Sequence, residues 1–531
     1  MPLKCTRKLS RVSLIFKFTV APYSLADVID QFVEAMPHVL LTLNEHKYGR
    51  PRFATAALLK IYLYAYAKHL PVTGRQLHQL IAETPCLLWF LSPDQRVPSY
   101  RVLDRFRVDP AMDQLIADAL DKFHQLLLDQ HIIDRQAVFI DGTKIEAVPQ
   151  KYSFVWRKTV TKSNQRLVAN GQAFLKSLHL VQINAPAGKE NLAKALAIAA
   201  KQLHHAICHL NRVIAHEKTG RGGSPNKRRR RALKHDLHVI ETNYLPRKRQ
   251  YDKYFGGFEQ RNSLAKFDCD ATFMRLKEDP MKNGQLKPAY NVQIATDKQY
   301  ILADYVCQRP TDQKTLIPFL KQSRWIFAHV HYIAADAGYG SEQNYGYIAA
   351  QKHVPLIPYT MYEKEKTRKY RRDPSKCMNW HYNAQGNYYV DNHDVQFCFW
   401  RLGTRTDHQT GYTRHFAYYR ALPGETPEAY YYAHTQTGRL RQIGVNATWE
   451  KQKAAEQLAL GIEPGRGVYA QRKDEVESAF GVIKRELGFR RFHVRWLPHV
   501  RRETGLVLLA YDLRKYTKYL QKRYENQPAT A

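Results

Sequence analysis

Three carboxylates stand out by context. Asp141 closes an apolar, β-prone run within Ala137–Ala147 (AVFIDGTKIEA) and is followed at once by a glycine. Asp336 ends a similar run in His329–Gly340 (HVHYIAADAGYG). Glu477 flanks a helical stripe made by Val476, Phe480, Ile483 and Leu487. An acid at the end of a buried strand is costly to desolvate unless something positive meets it. Two such acids and a third on a helix suit a cluster that holds divalent metal. Hard oxygen ligands fit Mg²⁺ or Mn²⁺, and two ions about 3.5–4 Å apart activate a nucleophile and stabilise the leaving oxygen of a phosphodiester. On spacing alone, Asp297 and Asp304 compete with Asp336 for the second place. Glu475 points nearly opposite to Glu477 on the helix and is the weaker choice.

Cations accompany the third acid. Lys473 falls one turn before Glu477, with Arg472 beside it, and Lys484 lies two turns beyond, roughly 10.5 Å along the axis. All three could neutralise phosphate near the metals. The whole chain shares this bias: 82 Lys and Arg against 48 Asp and Glu give +34, which favours a polyanion, most commonly nucleic acid. No stretch approaches the ~20 apolar residues of a spanning helix. Lys17 interrupts the short apolar run Val12–Phe16, so no cleavable signal is read there. Seven irregularly spaced cysteines without a CxxC predict reduced thiols in a cytoplasm and no zinc site.

The elements that must position these residues alternate in type. Residues 1–130 read as a helical domain. Within it, Ser99 caps a short helix carrying Arg101, Arg105 and Arg107, which could be the exposed reader of a helix-turn-helix. Residues 131–158 hold the Asp141 strand and a second strand or strand extension, KYSFVWRK (Lys151–Lys158). Residues 159–266 read as a helical hairpin with a seam at Leu196, Ala199, Leu203, Ala206, Leu210 and Val213. Its tip is the basic run Lys227, Arg228, Arg229, Arg230 and Arg231, a candidate phosphate contact. Strands resume over 267–360, with Asp297–Gln299 as a hairpin turn and a helix opened by Thr311. Residues 361–462 form a β-rich insertion. Residues 463–531 return to helices, ending in an amphipathic, basic one near Leu506–Lys522. The interleaved order is that of an α/β, ribonuclease-H-like core, a mixed sheet with flanking helices, interrupted twice.

Five ordered blocks carry a more specific signal: FIDGTKIEA with KYSFVWRK, DATFMRLKEDPMKNGQLKPAYNVQIATD, RPTDQKTLIPFL, ADAGYGSEQNY and VESAFGVIKRELGFRRFHVR. Together they resemble the DDE transposases of bacterial insertion sequences, most closely the branch catalogued as IS-eleven-eighty-two. GRPRFATAALLKIYLYAY and PSYRVLDRFR look like that branch's helical N-terminal domain. The resemblance implies metal-dependent cutting and rejoining of DNA, with Asp141, Asp336 and Glu477 as catalytic, metal-holding acids and two Mg²⁺ (or Mn²⁺) ions. It implies double-stranded DNA as partner, both terminal inverted repeats and target, met as a homodimer in the cytoplasm and nucleoid. DNA contacts would come from Arg101, Arg105, Lys144, Lys227–Arg231, Arg472, Lys473 and Lys484.

Two departures from the resemblance concern spacing and cysteines. Related transposases often show Y-x2-R-x3-E-x6-K. Here Glu477 and Lys484 keep the last interval, but Arg472 and Tyr469 stand one residue early and Lys473 takes the arginine's place. Only Cys377 and Cys398 remain where many relatives carry several cysteines. Two other readings compete: a DNA-binding remnant without catalysis, and a nuclease that hydrolyses without rejoining.

Overall fold

The computed structural model describes residues 18–37, 53–91, 96–150, 152–178, 192–217, 224–276 and 284–526. Residues 1–17, Lys151, 218–223 and 277–283, which fall in stretches read above, lie outside them.

The N-terminal quarter is helical as expected: α1 (Leu25–Glu34), α2 (Thr55–Ala67), α3 (Gly74–Glu83), α4 (Pro85–Trp89), α5 (Tyr100–Val108) and α6 (Met112–Asp129). The link from α3 to α5 contains α4 and is far longer than the three or four residues of a helix-turn-helix. Arg101 and Arg105 are exposed on α5, but Arg107 is not. It is buried, 3.5 Å from Glu503, and donates to the Val72 carbonyl at 3.3 Å. Arg107 therefore belongs to the interior and not to an exposed reading edge.

The central sheet begins with β1 (Ala137–Glu146). A two-stranded ribbon, β2 (Phe154–Trp156) with β3 (Ser263–Ala265), closes the base of the first insertion. The stretch read as a second core strand is thus a clamp outside the main sheet, and it runs straight into α7 (Arg157–Ser177). The insertion is not a simple hairpin. It comprises α7, α8 (Leu192–Ala215), α9 (Pro225–Val239) and α10 (Leu245–Phe258), the last two joined by a π turn. Leu196, Ala199, Leu203 and Leu210 are buried as the seam required, with Ile207 replacing Ala206.

β4 (Thr272–Arg275), β5 (Leu286–Asp297) and β6 (Tyr300–Cys307) follow, then α11 (Leu316–Gln322), β7 (Tyr332–Ala335), α12 (Glu342–Ala350) and β8 (Val354–Leu356). Helix α11 starts later than Thr311 predicts, with Thr315 in the N-cap position and its hydroxyl donating back to the Asp312 carbonyl at 2.6 Å. The sheet runs β4-β5-β1-β7-β8, and β6 continues the β4 edge of β5. β5 is antiparallel to β1 and β6, whereas β1, β7 and β8 are mutually parallel. This mixed sheet with flanking helices is a ribonuclease-H-like core. The β5–β6 turn places Lys298 and Gln299 at φ +50° and +62°, the left-handed pair of a two-residue hairpin turn.

The second insertion is an antiparallel sheet of β9 (His381–Asn383), β10 (Tyr388–Val390), β11 (Gln396–Thr406), β12 (Thr413–Ala421) and β13 (Gln442–Val445). It leads through α13 (Ala447–Gly461) into α14 (Gly465–Arg472). The final helix, α15 (Leu497–Glu525), differs from the sequence expectation. Gly505–Leu513 are buried without a break, because LVLLAYDL is nearly apolar all round. It is a central pillar, joined to the N-terminal helices by Arg502, which donates to both Asp113 oxygens at 2.7 and 2.8 Å.

Candidate active site

Register decides which acids meet. In the parallel β1–β7 pair, Phe139 faces Ala334 and Ile140 faces Ala335, so Asp141 and Asp336 are the next residue on each neighbouring strand. Side chains two apart share a face. Asp141 therefore projects on the Phe139 face, where Val476 packs with Phe139, Ala334 and Leu356. The helix carrying Glu477 lies across that face, one residue beyond this contact.

The two aspartates are held alike. Asp141 is buried and its Oδ1 accepts from the Gly142 amide at 2.7 Å; Asp336 Oδ1 accepts from the Gly338 amide at 2.7 Å. Glu477 is exposed. It makes no compact three-acid cluster with the aspartates, and no such cluster occurs among the described residues. The donors are carboxylate oxygens, a set that fits Mg²⁺ or Mn²⁺.

The competing acids have other work. Asp297 Oδ2 accepts from the Asp134 and Arg135 amides at 3.0 and 2.8 Å, securing the approach to β1. Asp304 stands across β5 from Asp141, opposite Ile294, one strand further than Asp336. Its burial pushes its pKa up to about 6, moderated by Arg501. Glu475 is buried and accepts from the Gln299 amide at 2.5 Å, pinning the helix to the β5–β6 turn.

The helix itself is irregular. Two π turns, Lys473–Glu477 and Val482–Glu486, interrupt it on either side of Ser478–Gly481. A π turn bonds i to i+5 and so accommodates one residue more than an α turn. Arg472 and Glu477, five apart, are consequently one turn apart, the relation that R-x3-E has in an α-helix. The apparent spacing fault disappears in three dimensions. The Arg472 guanidinium lies 5.9 Å from the Tyr469 ring; burial raises the Tyr469 pKa, the Arg472 charge and hydrogen bond lower it, and the Asp336 and Glu363 charges raise it. Arg472 is half-buried there, while Lys473 is exposed. Lys484 is half-buried further along, its carbonyl accepting from Arg490 Nε at 3.0 Å.

The remaining predicted contacts sit on other elements. Lys144 is half-buried on β1, opposite Asn291. Lys227–Arg231 open α9, with Arg228, Arg229 and Arg231 exposed and Arg230 donating to Asn211 at 3.1 Å.

Two features escaped the sequence reading. Behind β1, Asp312 Oδ1 accepts from Asn291 Nδ2 at 2.6 Å and Gln293 Nε2 at 3.1 Å, and the Tyr339 hydroxyl donates to Gln293 Oε1. Burial, then the charges of Asp141, Asp312 and Asp336, hold the Tyr339 pKa well above the usual tyrosine range. Separately, the β11–β12 hairpin gathers arginines and rings on one face. Arg401 lies opposite Tyr418 and Arg405 opposite Arg414. The Arg401 and Arg420 guanidinium groups each lie 4.7 Å from the Trp400 ring, and Arg405 lies 5.0 Å from Phe416. The hairpin tip is tied to the core by Lys314–Asp407 at 2.8 Å and by Tyr412, which donates to Glu342 at 3.1 Å. Alternation of Arg and aromatic residues was the available signal.

The family described as "Transposase DDE domain" matches residues 263–513, and "Transposase domain (DUF772)" matches residues 20–109. The chain belongs to the DDE transposases. The first match begins where the α7–α10 insertion ends, so the strand bearing Asp141 precedes it and joins this domain through sheet pairing and through packing such as Phe139 against Val476. No curated protein matches the chain. Among the described residues, no helix of this transposase is long and apolar enough to cross a membrane.

Proposed function

We propose that the chain cuts and rejoins DNA at the ends of a bacterial insertion sequence, with Asp141, Asp336 and Glu477 as the metal-holding acids. The observation that carries this reading is the β1–β7 register, which makes Asp141 and Asp336 neighbours on the face crossed by the Glu477 helix. Divalent ions on these carboxylates would supply activation of the attacking oxygen and stabilisation of the leaving one. Glu477, exposed on its helix, completes the set when DNA and metal assemble there. Arg472 and Lys484 hold phosphates of the element end along the same helix, and Tyr469 orients Arg472. Lys144, Lys473, Arg101, Arg105 and Lys227–Arg231 add contacts along the duplex. The arginine-and-ring face of the β11–β12 hairpin extends this DNA-binding surface, since its tip docks beside the loops following β6 and β7. The protein works as a homodimer on paired ends.

A labelled element end incubated with target DNA and Mg²⁺ tests the reading. Joined products are expected. Hydrolysis without joining would leave a nuclease, and binding without cleavage a silent remnant.

A further inference from the structure

We propose that Asp312 is a positioning residue of the Asp141–Asp336 pair, acting through Gln293 and Tyr339. The inference rests on the function proposed above.

Asn291, Gln293 and Tyr339 are fully buried, so their polar atoms must find partners within the protein. The Gln293 amide is the pivot. Its two ends are almost the same shape, and only its neighbours decide which way it points. Asp312 Oδ1 accepts from the Gln293 NH₂ and so draws it to that side, where Asn291 Oδ1 also accepts at 3.0 Å. That leaves Oε1 facing Tyr339, whose hydroxyl donates to it. Tyr339 stands three residues beyond Asp336 in the turn that Asp336 itself caps. The chain Asp312–Gln293–Tyr339 therefore fastens the Asp336 turn to β5.

The same amide passes directly behind Asp141. Gly142 leaves the space for it: a Cβ there would lie 2.1 Å from Gln293 Nε2 and 3.0 Å from Asp312 Oδ1. The loops around Asp312 and Asp336 are also laced together. Asn344 donates to the Gln313 carbonyl at 2.9 Å and to the Tyr339 carbonyl at 2.7 Å, and Gln313 donates to the Gly340 carbonyl at 3.1 Å. Removing the Asp312 acceptor frees the Gln293 amide to turn, and Asp336 loses its fixed relation to Asp141. Outer-shell partners of this kind typically change metal affinity or activity about 10- to 100-fold.

The test is Mn²⁺ binding to the full-length protein without DNA, followed by electron paramagnetic resonance. Element-end binding is measured in parallel and thermal unfolding serves as a folding check. Asp336→Ala should lose the Mn²⁺ signal; if it binds as wild type does, the underlying reading of the site fails. With that control in place, Asp312→Ala should weaken Mn²⁺ affinity about tenfold or more and leave end binding unchanged. Asp312→Asn should retain most of the affinity, because its oxygen still accepts from both amides. Wild-type affinity in Asp312→Ala would overturn the inference. So would an equal loss in Asp312→Asn, which would make Asp312 a direct ligand. Should Asp312→Ala not fold, Tyr339→Phe removes only the hydroxyl link. It should weaken Mn²⁺ binding several-fold, and unchanged affinity would overturn the inference.

Discussion

Arg472 and Glu477 are five residues apart in the chain and one helical turn apart in space, because the π turn Lys473–Glu477 takes up one extra residue. The turn is a rearrangement inside a helix whose buried side is anchored within that turn, by Val476 against Phe139 and by Glu475 on the Gln299 amide. It gives this transposase a directional prediction. Arg472→Ala should weaken element-end binding and slow cleavage by about 10- to 100-fold, the loss of one charge-assisted contact. Lys473→Ala should cost less, a few-fold in end binding with little change in cleavage by the bound protein. Filter binding and a cleavage time course decide it, and the reverse order would return the role to Lys473.

Lys484 follows Glu477 by seven residues, inside the second π turn Val482–Glu486. Lys484→Ala should reduce both end affinity and cleavage rate, with partial recovery in Lys484→Arg, since the charge is kept while the geometry changes. Wild-type values for the Ala variant would make it a structural lysine.

The two basic surfaces away from the acids should separate by salt dependence. Each neutralised phosphate contributes a slope of about −0.9 in log affinity against log salt. Replacing Lys227–Arg231 with Gln should flatten the slope if α9 meets the duplex. Arg401→Ala with Arg405→Ala should do likewise, and in addition lower affinity at a fixed salt concentration. An unchanged slope in either variant would remove that surface from the interface.

Much of this architecture was legible in the sequence, and the exceptions share a cause. Asp336 was visible because an apolar run closed by an acid marks a strand end, as it does after β7; Asp141 was visible by the same sign, although it lies mid-strand, since β1 runs on past Gly142 to Glu146. The β11–β12 pieces were visible through their aromatic, β-prone composition. Asp312 was not, since it lies in a loop and its meaning comes from amides on β5 that only folding brings to it. The α15 pillar was misread because its charged ends, Arg501 and Lys522 among them, masked a buried middle that is apolar but for Asp512. The shifted motif around Arg472 looked like a departure because a π turn leaves no compositional mark.

Glu456 offers a pH test of the core. It is buried on α13, accepting from the Ile357 amide at 3.1 Å, and burial pushes its pKa up to about 8 against this hydrogen bond. The folded state then binds a proton that the unfolded state, with an ordinary glutamate value near 4.5, releases. Stability from this group is full below that lower value and declines as pH rises towards 8. Glu456→Gln should therefore raise the melting temperature more at pH 8 than at pH 5. Equal shifts at both would contradict the assignment.

The most direct test of the central claim is strand cleavage by Asp141→Ala, Asp336→Ala and Glu477→Ala at saturating Mg²⁺, beside binding of the same labelled element end. Each variant should bind the end within a few-fold of wild type and show no cleavage. Pairs of these substitutions should be no worse than single ones, because the three acids act as one unit. Cleavage at the wild-type rate by any one of them would contradict the account.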